Sequence, residues 1–281
     1  MKYNFFTFLV FLMVFSCYCQ QKIVVNANFL AKTPPMGWNS FDSYGITIYE
    51  EVAMKEIDAF IQKFAPHGYE YFVIDNGWFA SPETKMHEGY VMATADKPSP
   101  KEVSIDGYGI PMPSPKFFPN GLKPMIDKLH AKGLKFGVHL MRGIPRLAVE
   151  RNLPIKGTKY RAKDIFTTFD DCNWCTFMHG VDMTKPGSQE YYNSVINQFA
   201  QWGIDFIKVD DVSQCPAEIE GYTKAIAQCG RPMVLSLSAG NSNVGFIATY
   251  KKTNMVRTTP DIWDEPQAIE RSFGSMRKWQ G

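Results

Sequence analysis

The sequence predicts an α/β fold of the (β/α)8 barrel type with about six strand–helix units present, and three observations support it. Short apolar runs alternate with amphipathic segments of helical periodicity, which indicates parallel strands joined by right-handed crossovers. Polar residues stand at the carboxyl ends of several strands, as in barrels, whereas doubly wound sheets gather their chemistry at one switch point. These residues are Asn39, Asp75, His139, Asp210 and Asp211. No GxGxxG or GxxxxGK(S/T) loop occurs, which disfavours nucleotide binding.

Each predicted element follows from its own local pattern. Continuous apolar runs predict strands buried on both faces, and apolar residues three and four apart predict helices. The predicted strands are Met36 to Phe41, Tyr71 to Ile74, Lys135 to Leu140, Asp205 to Val209, Met233 to Leu237 and Asn254 to Arg257. The predicted helices are Glu50 to Phe64, one opening near Asn120, Gln189 to Trp202, Pro216 to Cys229 and one from about Pro266. Two long irregular stretches, 98–119 and 141–185, are the length of loops that usually serve binding or catalysis.

Composition excludes several classes of protein. Of the 281 residues 45% are hydrophobic and 21% charged, which is typical of a packed globular protein and not of a disordered chain. Thirty Lys and Arg against 28 Asp and Glu leave a net charge of +2, and no basic stripe interleaved with aromatic residues occurs. Nucleic acid is therefore not an expected partner.

The first 19 residues have the pattern of an export signal. Lys2 gives a positive start, and the apolar segment from Phe5 to Phe15 is shorter than the roughly 20 residues that a permanent membrane helix needs. Cleavage before Gln20, lipidation of Cys17 and an uncleaved anchor remain as alternatives. The sequence thus predicts a secreted, periplasmic or cell-surface protein that reaches a membrane only through such an anchor.

Four cysteines lie beyond this signal: Cys172, Cys175, Cys215 and Cys229. In an oxidising compartment an even number permits disulfides, and the Cys172-Asn173-Trp174-Cys175 pair could close on itself or remain two free thiols. A zinc site would need further ligands at suitable spacing, so metal is the less favoured reading. A redox role is disfavoured because the pair has no thioredoxin-like context.

Three carboxylates at predicted strand ends, Asp75, Asp210 and Asp261, are the candidate catalytic groups. Two carboxyl groups flanking a sugar can cleave a glycosidic bond, one attacking the anomeric carbon and the other protonating the leaving oxygen. Trp38 and Trp78 offer apolar faces for a pyranose. The alternative is that each Asp caps the following helix or ties a loop.

Several motifs together resemble glycoside hydrolase family 27, in clan D, which includes α-galactosidases and α-N-acetylgalactosaminidases. The opening motif is Thr33-Pro34-Pro35-Met36-Gly37-Trp38-Asn39-Ser40-Phe41. Further matches follow in order at Tyr71 to Trp78, Phe118 to Leu122, Gly133 to Gly137, Trp202 to Asp210 and Arg257 to Ile262. The predicted organisation is an export signal at 1–19, an N-terminal extension at 20–32 and a catalytic barrel at 33–281. The resemblance implies that this barrel is incomplete, because the family completes eight strands and usually adds a C-terminal β domain.

The resemblance also implies a role for each matching residue. Asp210 matches the nucleophile and Asp261 the general acid and base of a reaction that retains anomeric configuration. Lys208 and Arg257 match residues that hydrogen-bond sugar hydroxyls, and the charge of Lys208 should help keep Asp210 ionised. Trp38 matches the family residue that packs on the sugar, and Asp75 matches the carboxylate that binds the far hydroxyls of galactose. The carbohydrate substrate is the expected partner, and carboxylate chemistry of this kind needs no cofactor.

Three departures from the family pattern leave the sugar open. Asn76 stands where a second Asp is usual, so a charged acceptor becomes an amide. The fifth strand ends in the small sequence Leu237-Ser238-Ala239-Gly240, which leaves room for a different substituent at the 2-position. His139 replaces a common Tyr and is a sugar contact or a core residue rather than a metal ligand. A secreted α-galactosidase is the first hypothesis. The alternatives are a glycosidase for an α-N-acetylgalactosaminide, a β-L-arabinopyranoside or an isomaltose-type glucan, and a non-catalytic carbohydrate-binding fragment.

Overall fold

One parallel sheet of six strands organises the structure, a computed structural model that describes residues 30–83, 102–169, 175–238, 242–262 and 265–280. The strand order is β1-β2-β3-β7-β8-β9, and every neighbouring pair is parallel. These strands are β1 (Gly37–Asn39), β2 (Tyr71–Ile74), β3 (Lys135–Met141), β7 (Phe206–Asp210), β8 (Val234–Leu237) and β9 (Met255–Val256). All six predicted strands are therefore confirmed, most of them within two residues of the predicted ends.

Helices connect the strands in the predicted alternation. They are α1 (Phe41–Tyr44), α2 (Glu50–Lys63), α3 (Lys123–His130), α4 (Arg146–Glu150), α5 (Ala162–Ile165), α6 (Ser188–Trp202), α7 (Pro216–Gln228), α8 (Ile247–Tyr250) and α9 (Pro266–Arg277), with short 3-10 turns at Ala65–His67 and Val244–Phe246. The longer helices bury one apolar stripe each, such as Ile57 and Phe60 on α2 and Val195 and Phe199 on α6. No helix in the described ranges is both long and apolar enough to cross a membrane.

The register of the sheet separates two faces. Phe72 of β2 lies beside Phe136 of β3, and both belong to the main core beneath the helices. The alternate residues Tyr71, Val73 and Phe206 form a smaller apolar cluster on the opposite, inward face. Because side chains alternate along a strand, the polar residues at the strand ends are also assigned to one face or the other by this register.

The stretch 141–185 is more ordered than the sequence predicts. A small antiparallel sheet with order β4-β6-β5 forms there from β4 (Ile144–Pro145), β5 (Phe166–Thr167) and β6 (Met178–Val181). Strands of two to four residues are too short to show an alternating pattern, which explains why the sequence reads as irregular.

No disulfide joins Cys175, Cys215 and Cys229, the cysteines within the described ranges. Cys175 is fully buried in the main core. Cys215 and Cys229 stand at opposite ends of α7, and thirteen helical residues place them roughly 20 Å apart, far beyond disulfide reach. The partner that the sequence suggested for Cys175, Cys172, lies outside the described residues, as do the predicted export signal with Cys17, and Ala239 and Gly240.

Candidate active site

The carboxyl ends of the central strands bring five polar side chains to the inward face of the sheet. Asn39 is in register with Val73, so the next inward position on β2 is Asp75. His139 on β3 is in register with Lys208 on β7, and Asp210 follows Lys208 by two residues. The sheet pattern alone therefore gathers Asn39, Asp75, His139, Lys208 and Asp210, of which all but Asn39 are predicted site residues.

Direct contacts join these side chains into one network. Asn39 Nδ2 donates to Asp75 Oδ2 at 2.6 Å, and Lys208 Nζ donates to the same oxygen at 2.9 Å. Lys208 Nζ lies 3.7 Å from Asp210 Oδ2, and His139 Nε2 lies 3.1 Å from that oxygen. Lys208 thus bridges two carboxylates, and the Asp210 carboxylate is held between a cation and an imidazole.

The charges of this network keep its carboxylates ionised. Burial alone would raise the pKa of Asp210, but the Lys208 ammonium and the contact with His139 outweigh burial and lower that pKa well below the ordinary value of 3.8. Asp75 is fully buried and its pKa is also lowered, because Lys208 and His139 again outweigh burial and the repulsion from Asp210. Burial would lower the pKa of Lys208, whereas Asp210 and Asp75 raise it. The predicted effect of Lys208 on Asp210 is confirmed.

Several buried polar atoms of the site have no hydrogen-bond partner among the described residues. They include Asn76 Oδ1, His139 Nδ1 and Asp210 Oδ1. Asn76 lies two residues beyond the end of β2, and its N–H donates to Asp75 Oδ1 at 2.8 Å. Gly77 then allows the turn, since its φ is +109° and a Cβ would meet Ile46 O at 2.3 Å. A buried polar atom without a partner is unfavourable, so a ligand rich in hydroxyl groups would stabilise this arrangement.

Ser238 and Arg257 extend the inward face onto the last two strands. The Ser238 N–H donates to Val209 O at 2.9 Å, and the Arg257 N–H donates to Leu237 O at 2.9 Å, so both residues continue the parallel pairing. Ser238 is buried, and Arg257 Nε is buried without a partner in the described part of the chain. Arg257 also forms an ion pair with Asp261, whose side chain is 41% exposed. Asp261 is thus held through Arg257 in the loop that follows β9.

The structure corrects the roles predicted for the two tryptophans. Trp38 is in register with Phe72 and stacks on it with ring centroids 4.6 Å apart, so its side chain lies on the helix-facing side of the sheet. Trp78 is fully buried, packs edge-on against Phe199, and donates from Nε1 to His139 O at 2.8 Å. Both rings pack against the main core, where they have no route to a sugar on the inward face.

Phe41 is the aromatic residue that sequence reasoning missed. Its ring centroid lies 5.7 Å from Lys208 Nζ, and its N–H donates to Asn39 Oδ1 at 2.8 Å. It comes two residues after Asn39, directly beyond the end of β1, which is the position that marks the other site residues. The position of Phe41 after the predicted strand was therefore a usable signal in the opening motif, but the sequence prediction chose the larger Trp38 instead.

Comparison with known proteins shows what the chain is similar to. Residues 169–279 match a family model described as alpha galactosidase A. The α-galactosidase of Cyamopsis tetragonoloba is 27% identical over 242 residues, which are 84% of this chain and 45% of that protein. The crystal structure of a family 27 β-L-arabinopyranosidase from Geobacillus stearothermophilus superposes with a TM-score of 0.81 at 40% identity, covering 90% of this chain and 59% of that one. The chain is thus similar to a glycoside hydrolase of family 27 over 90% of its length.

A second family 27 neighbour shows that sugar specificity varies among the similar structures. A protein from Bacillus halodurans, described as a candidate α-N-acetylgalactosaminidase, superposes with a TM-score of 0.71 at 37% identity, covering 88% of this chain and 58% of that one. The curled parallel sheet with its helices matches part of the barrel in these family 27 structures, so the predicted fold class is confirmed. The chain spans about half the length of the curated relatives it matches. It covers 45% of the length of alpha-galactosidase A from Cellvibrio japonicus.

Proposed function

We propose that this chain belongs to a retaining family 27 glycoside hydrolase that releases terminal α-galactosyl residues. The observation that carries the proposal is the Asp210 carboxylate, held ionised at the end of β7 between Lys208 and His139. A carboxylate that attacks an anomeric carbon must be ionised and fixed in position, and this environment provides both conditions.

In the proposed reaction Asp210 forms a covalent glycosyl–enzyme bond while the bond to the leaving oxygen breaks. Asp261 gives its proton to that oxygen. It then takes one from the water that attacks the same anomeric carbon, and the bond from that carbon to Asp210 breaks and releases the carboxylate, so two inversions produce net retention. Asp261 forms an ion pair with Arg257. Arg257 is expected to turn to a substrate hydroxyl when the sugar binds, which frees Asp261 to carry the proton.

Recognition of the sugar is assigned to the inward-facing polar groups. As the family resemblance implies, the Asp75 carboxylate accepts hydrogen bonds from ring hydroxyls, and the Lys208 ammonium donates hydrogen bonds to them. Asn76 Oδ1 and His139 Nδ1 are the buried atoms that a hydroxyl-rich ligand would satisfy. The ring of Phe41 lies beside Lys208 and supplies the apolar surface first expected of Trp38.

The test is hydrolysis of nitrophenyl α-galactoside by the chain, beside nitrophenyl glycosides of other sugars, with the first product anomer followed by NMR. Release of α-galactose as the first product supports the proposal. β-Galactose as the first product would overturn the retaining mechanism. Absence of turnover on every glycoside, from a preparation with a cooperative thermal transition, would contradict the enzymatic proposal and favour a carbohydrate-binding protein.

A second candidate is hydrolysis of β-L-arabinopyranosides. It is favoured by the 40% identity to the Geobacillus arabinopyranosidase, which is well above the 27% identity to the Cyamopsis α-galactosidase. β-L-Arabinopyranose has the ring configuration of α-D-galactose without the C6 hydroxymethyl group, so the same carboxylates can serve both sugars. The ratio of kcat/KM for the two nitrophenyl glycosides, measured on one preparation, decides between them.

We also propose that the protein is exported, since residues 1–19 have the pattern of a signal and polymeric galactosides are found outside the cytoplasm. Mass spectrometry of the processed protein from its natural host tests this. A mature N-terminus at Gln20 supports secretion, an acylated Cys17 supports a lipid anchor, and retention of Met1 in the cytoplasmic fraction contradicts export.

A further inference from the structure

An arginine that the proposed reaction does not use bonds the main chain on both sides of the Asp210–Asp211 peptide. Arg142 follows β3, and its side chain is only 6% exposed. Its N–H donates to Asp210 O at 3.1 Å, and its Nε donates to Asp211 O at 2.6 Å and to Asp211 Oδ2 at 3.1 Å. A single residue therefore fixes two successive carbonyl groups at the point where the nucleophile strand ends.

The segment that Arg142 holds is conformationally unfavourable. Asp211 has a φ of +63°, in the left-handed region that residues other than glycine adopt at a cost. The chain turns there directly after Asp210, so this conformation fixes the main chain at the end of the strand whose register turns Asp210 inward. Such a turn persists only when its surroundings over-determine it, and the bonds from Arg142 to Asp211 O and Oδ2 do so.

A second layer of buried groups fixes Arg142 itself. Its Nη1 donates to Glu218 Oε1 at 2.9 Å, and Glu218 is likewise only 6% exposed. The Tyr192 hydroxyl donates to the other oxygen of Glu218 and accepts from the Gly143 N–H at 3.2 Å. Burial would lower the pKa of Arg142, but the Glu218 carboxylate leads the charges that raise it, so the guanidinium stays charged. A buried ion pair of this kind adds little net stability over apolar side chains of similar volume.

We propose that Arg142 is a positioning residue for the nucleophile, which holds Asp211 in the left-handed turn and so aims the Asp210 carboxylate. This inference rests on the proposed function, because it assumes that Asp210 attacks the sugar. Arg142 does not contact the substrate in this role. Glu218 and Tyr192 act one step further away by fixing the guanidinium.

The test combines Arg142→Lys with Asp211→Gly. Lysine keeps the charge but cannot reproduce the two-sided bonding, so we expect the rate of covalent trapping of Asp210 by an activated fluoro-galactoside to fall about 100-fold. The Kd of a competitive galactose-like inhibitor should change less than about threefold, because Asp75 and Lys208 are untouched. Glycine adopts the left-handed turn without the cost, so Asp211→Gly in the Arg142→Lys background should recover at least about tenfold of the rate.

Arg146→Lys is the matched control. Arg146 also donates from Nε to a main-chain oxygen, Met178 O at 3.0 Å, but this bond lies in the small antiparallel sheet and involves neither Asp210 nor Asp211. Its trapping rate should equal that of the unsubstituted chain. If Arg142→Lys does not fold, Glu218→Gln is the second variant, and its trapping rate is expected to fall about tenfold in the same direction.

The outcomes separate this inference from the proposed function. If the unsubstituted chain is not labelled at Asp210, the proposed function fails, and the inference is then judged by hydrogen exchange of the segment 206–215. That exchange should be faster in Arg142→Lys and return towards normal with Asp211→Gly. Unchanged exchange in Arg142→Lys would overturn the positioning role. So would a trapping rate that Asp211→Gly does not rescue, or a loss of inhibitor binding as large as the loss of rate.

Discussion

The two carboxylates proposed to carry the reaction have contrasting surroundings. Asp210 ends the central strand β7, is 16% exposed, and contacts Lys208 of its own strand and His139 of the neighbouring strand β3. Asp261 follows β9, at the end of the described strand order, is 41% exposed, and pairs with Arg257 four residues earlier. A nucleophile has to remain ionised and still, whereas an acid and base must gain and lose a proton during each turnover. The contrast therefore matches the division of labour that the proposed mechanism requires.

The largest expected effect is from Asp210→Asn. Asparagine has the same size but cannot supply the negative charge that attacks the anomeric carbon, so kcat should fall about 10⁴-fold or more for every glycoside, whatever its leaving group. Steady-state kinetics on a nitrophenyl and an alkyl glycoside measure this. Asp58→Asn, an exposed carboxylate on α2 paired with Lys128, is the control and should leave kcat unchanged. A loss below tenfold in Asp210→Asn would remove Asp210 from the role of nucleophile.

Asp261→Asn should have a smaller effect that depends on the leaving group. Nitrophenolate leaves without a proton, so the first step on a nitrophenyl glycoside needs little help from Asp261. An alkyl oxygen needs the proton, and kcat/KM for an alkyl glycoside should fall about 10³-fold. The test is the ratio of the loss of kcat/KM on the alkyl glycoside to the loss on the nitrophenyl glycoside. This ratio should be large for Asp261→Asn and close to one for Asp210→Asn. Equal losses for both substrates in Asp261→Asn would mean that Asp261 does not protonate the leaving group.

Sequence periodicity predicts most of the inward-facing half of this site. Counting alternate residues along β3 and β7 places His139, Lys208 and Asp210 on one face, and the register confirms it. The same counting applied to β1 puts Asn39 inward and Trp38 outward, so the error in Trp38 came from weighing residue type above position. Trp78 lies four residues beyond the end of β2, where strand periodicity no longer fixes direction, and only packing against the helices determines its burial.

The buried contacts around the strand ends are not predictable from sequence in the same way. The pairing of Arg142 with Glu218 joins residues 76 positions apart, and neither stands in a strand whose alternation could have singled it out. The left-handed conformation of Asp211 is likewise invisible, because glycine is the residue that usually marks such a turn. Long-range polar contacts of this kind depend on the three-dimensional arrangement of loops, for which local pattern carries no signal.

Lys208→Met tests why the Asp210 carboxylate is ionised. Burial raises the pKa of Asp210 and Lys208 lowers it, so removing the ammonium should move the acid limb of the kcat/KM profile from below pH 3.8 to above it. In the unsubstituted chain the lowered pKa values of Asp75 and Asp210 contribute stability that is present above the ordinary value of 3.8 and is lost as the pH falls below it. In Lys208→Met this acid-dependent loss should shrink.

Lys135→Met provides the control for that experiment. Lys135 lies at the opposite end of the same sheet, on β3, and pairs with Glu70 away from the catalytic carboxylates. Its substitution should leave the acid limb where it is. An acid limb that does not move in Lys208→Met would show that Lys208 is not what keeps Asp210 ionised, which would weaken the contrast between the two carboxylates.

The smallest expected effect concerns Phe41, the aromatic residue beside Lys208. Phe41→Leu keeps an apolar side chain but removes the flat ring next to Lys208, so KM should rise about three- to tenfold because one stacking surface for the sugar is lost. In the proposed mechanism the basic limb of the pH profile reflects the proton transfer at Asp261, so it should not move. Tyr49→Leu, an exposed aromatic residue before α2, is the matched control. Phe41 lies beside Lys208, whereas Asp261 alone carries the proton in the proposed mechanism. A shift of the basic limb in Phe41→Leu would therefore mean that the surroundings of Lys208 and the proton transfer at Asp261 are coupled through the bound sugar.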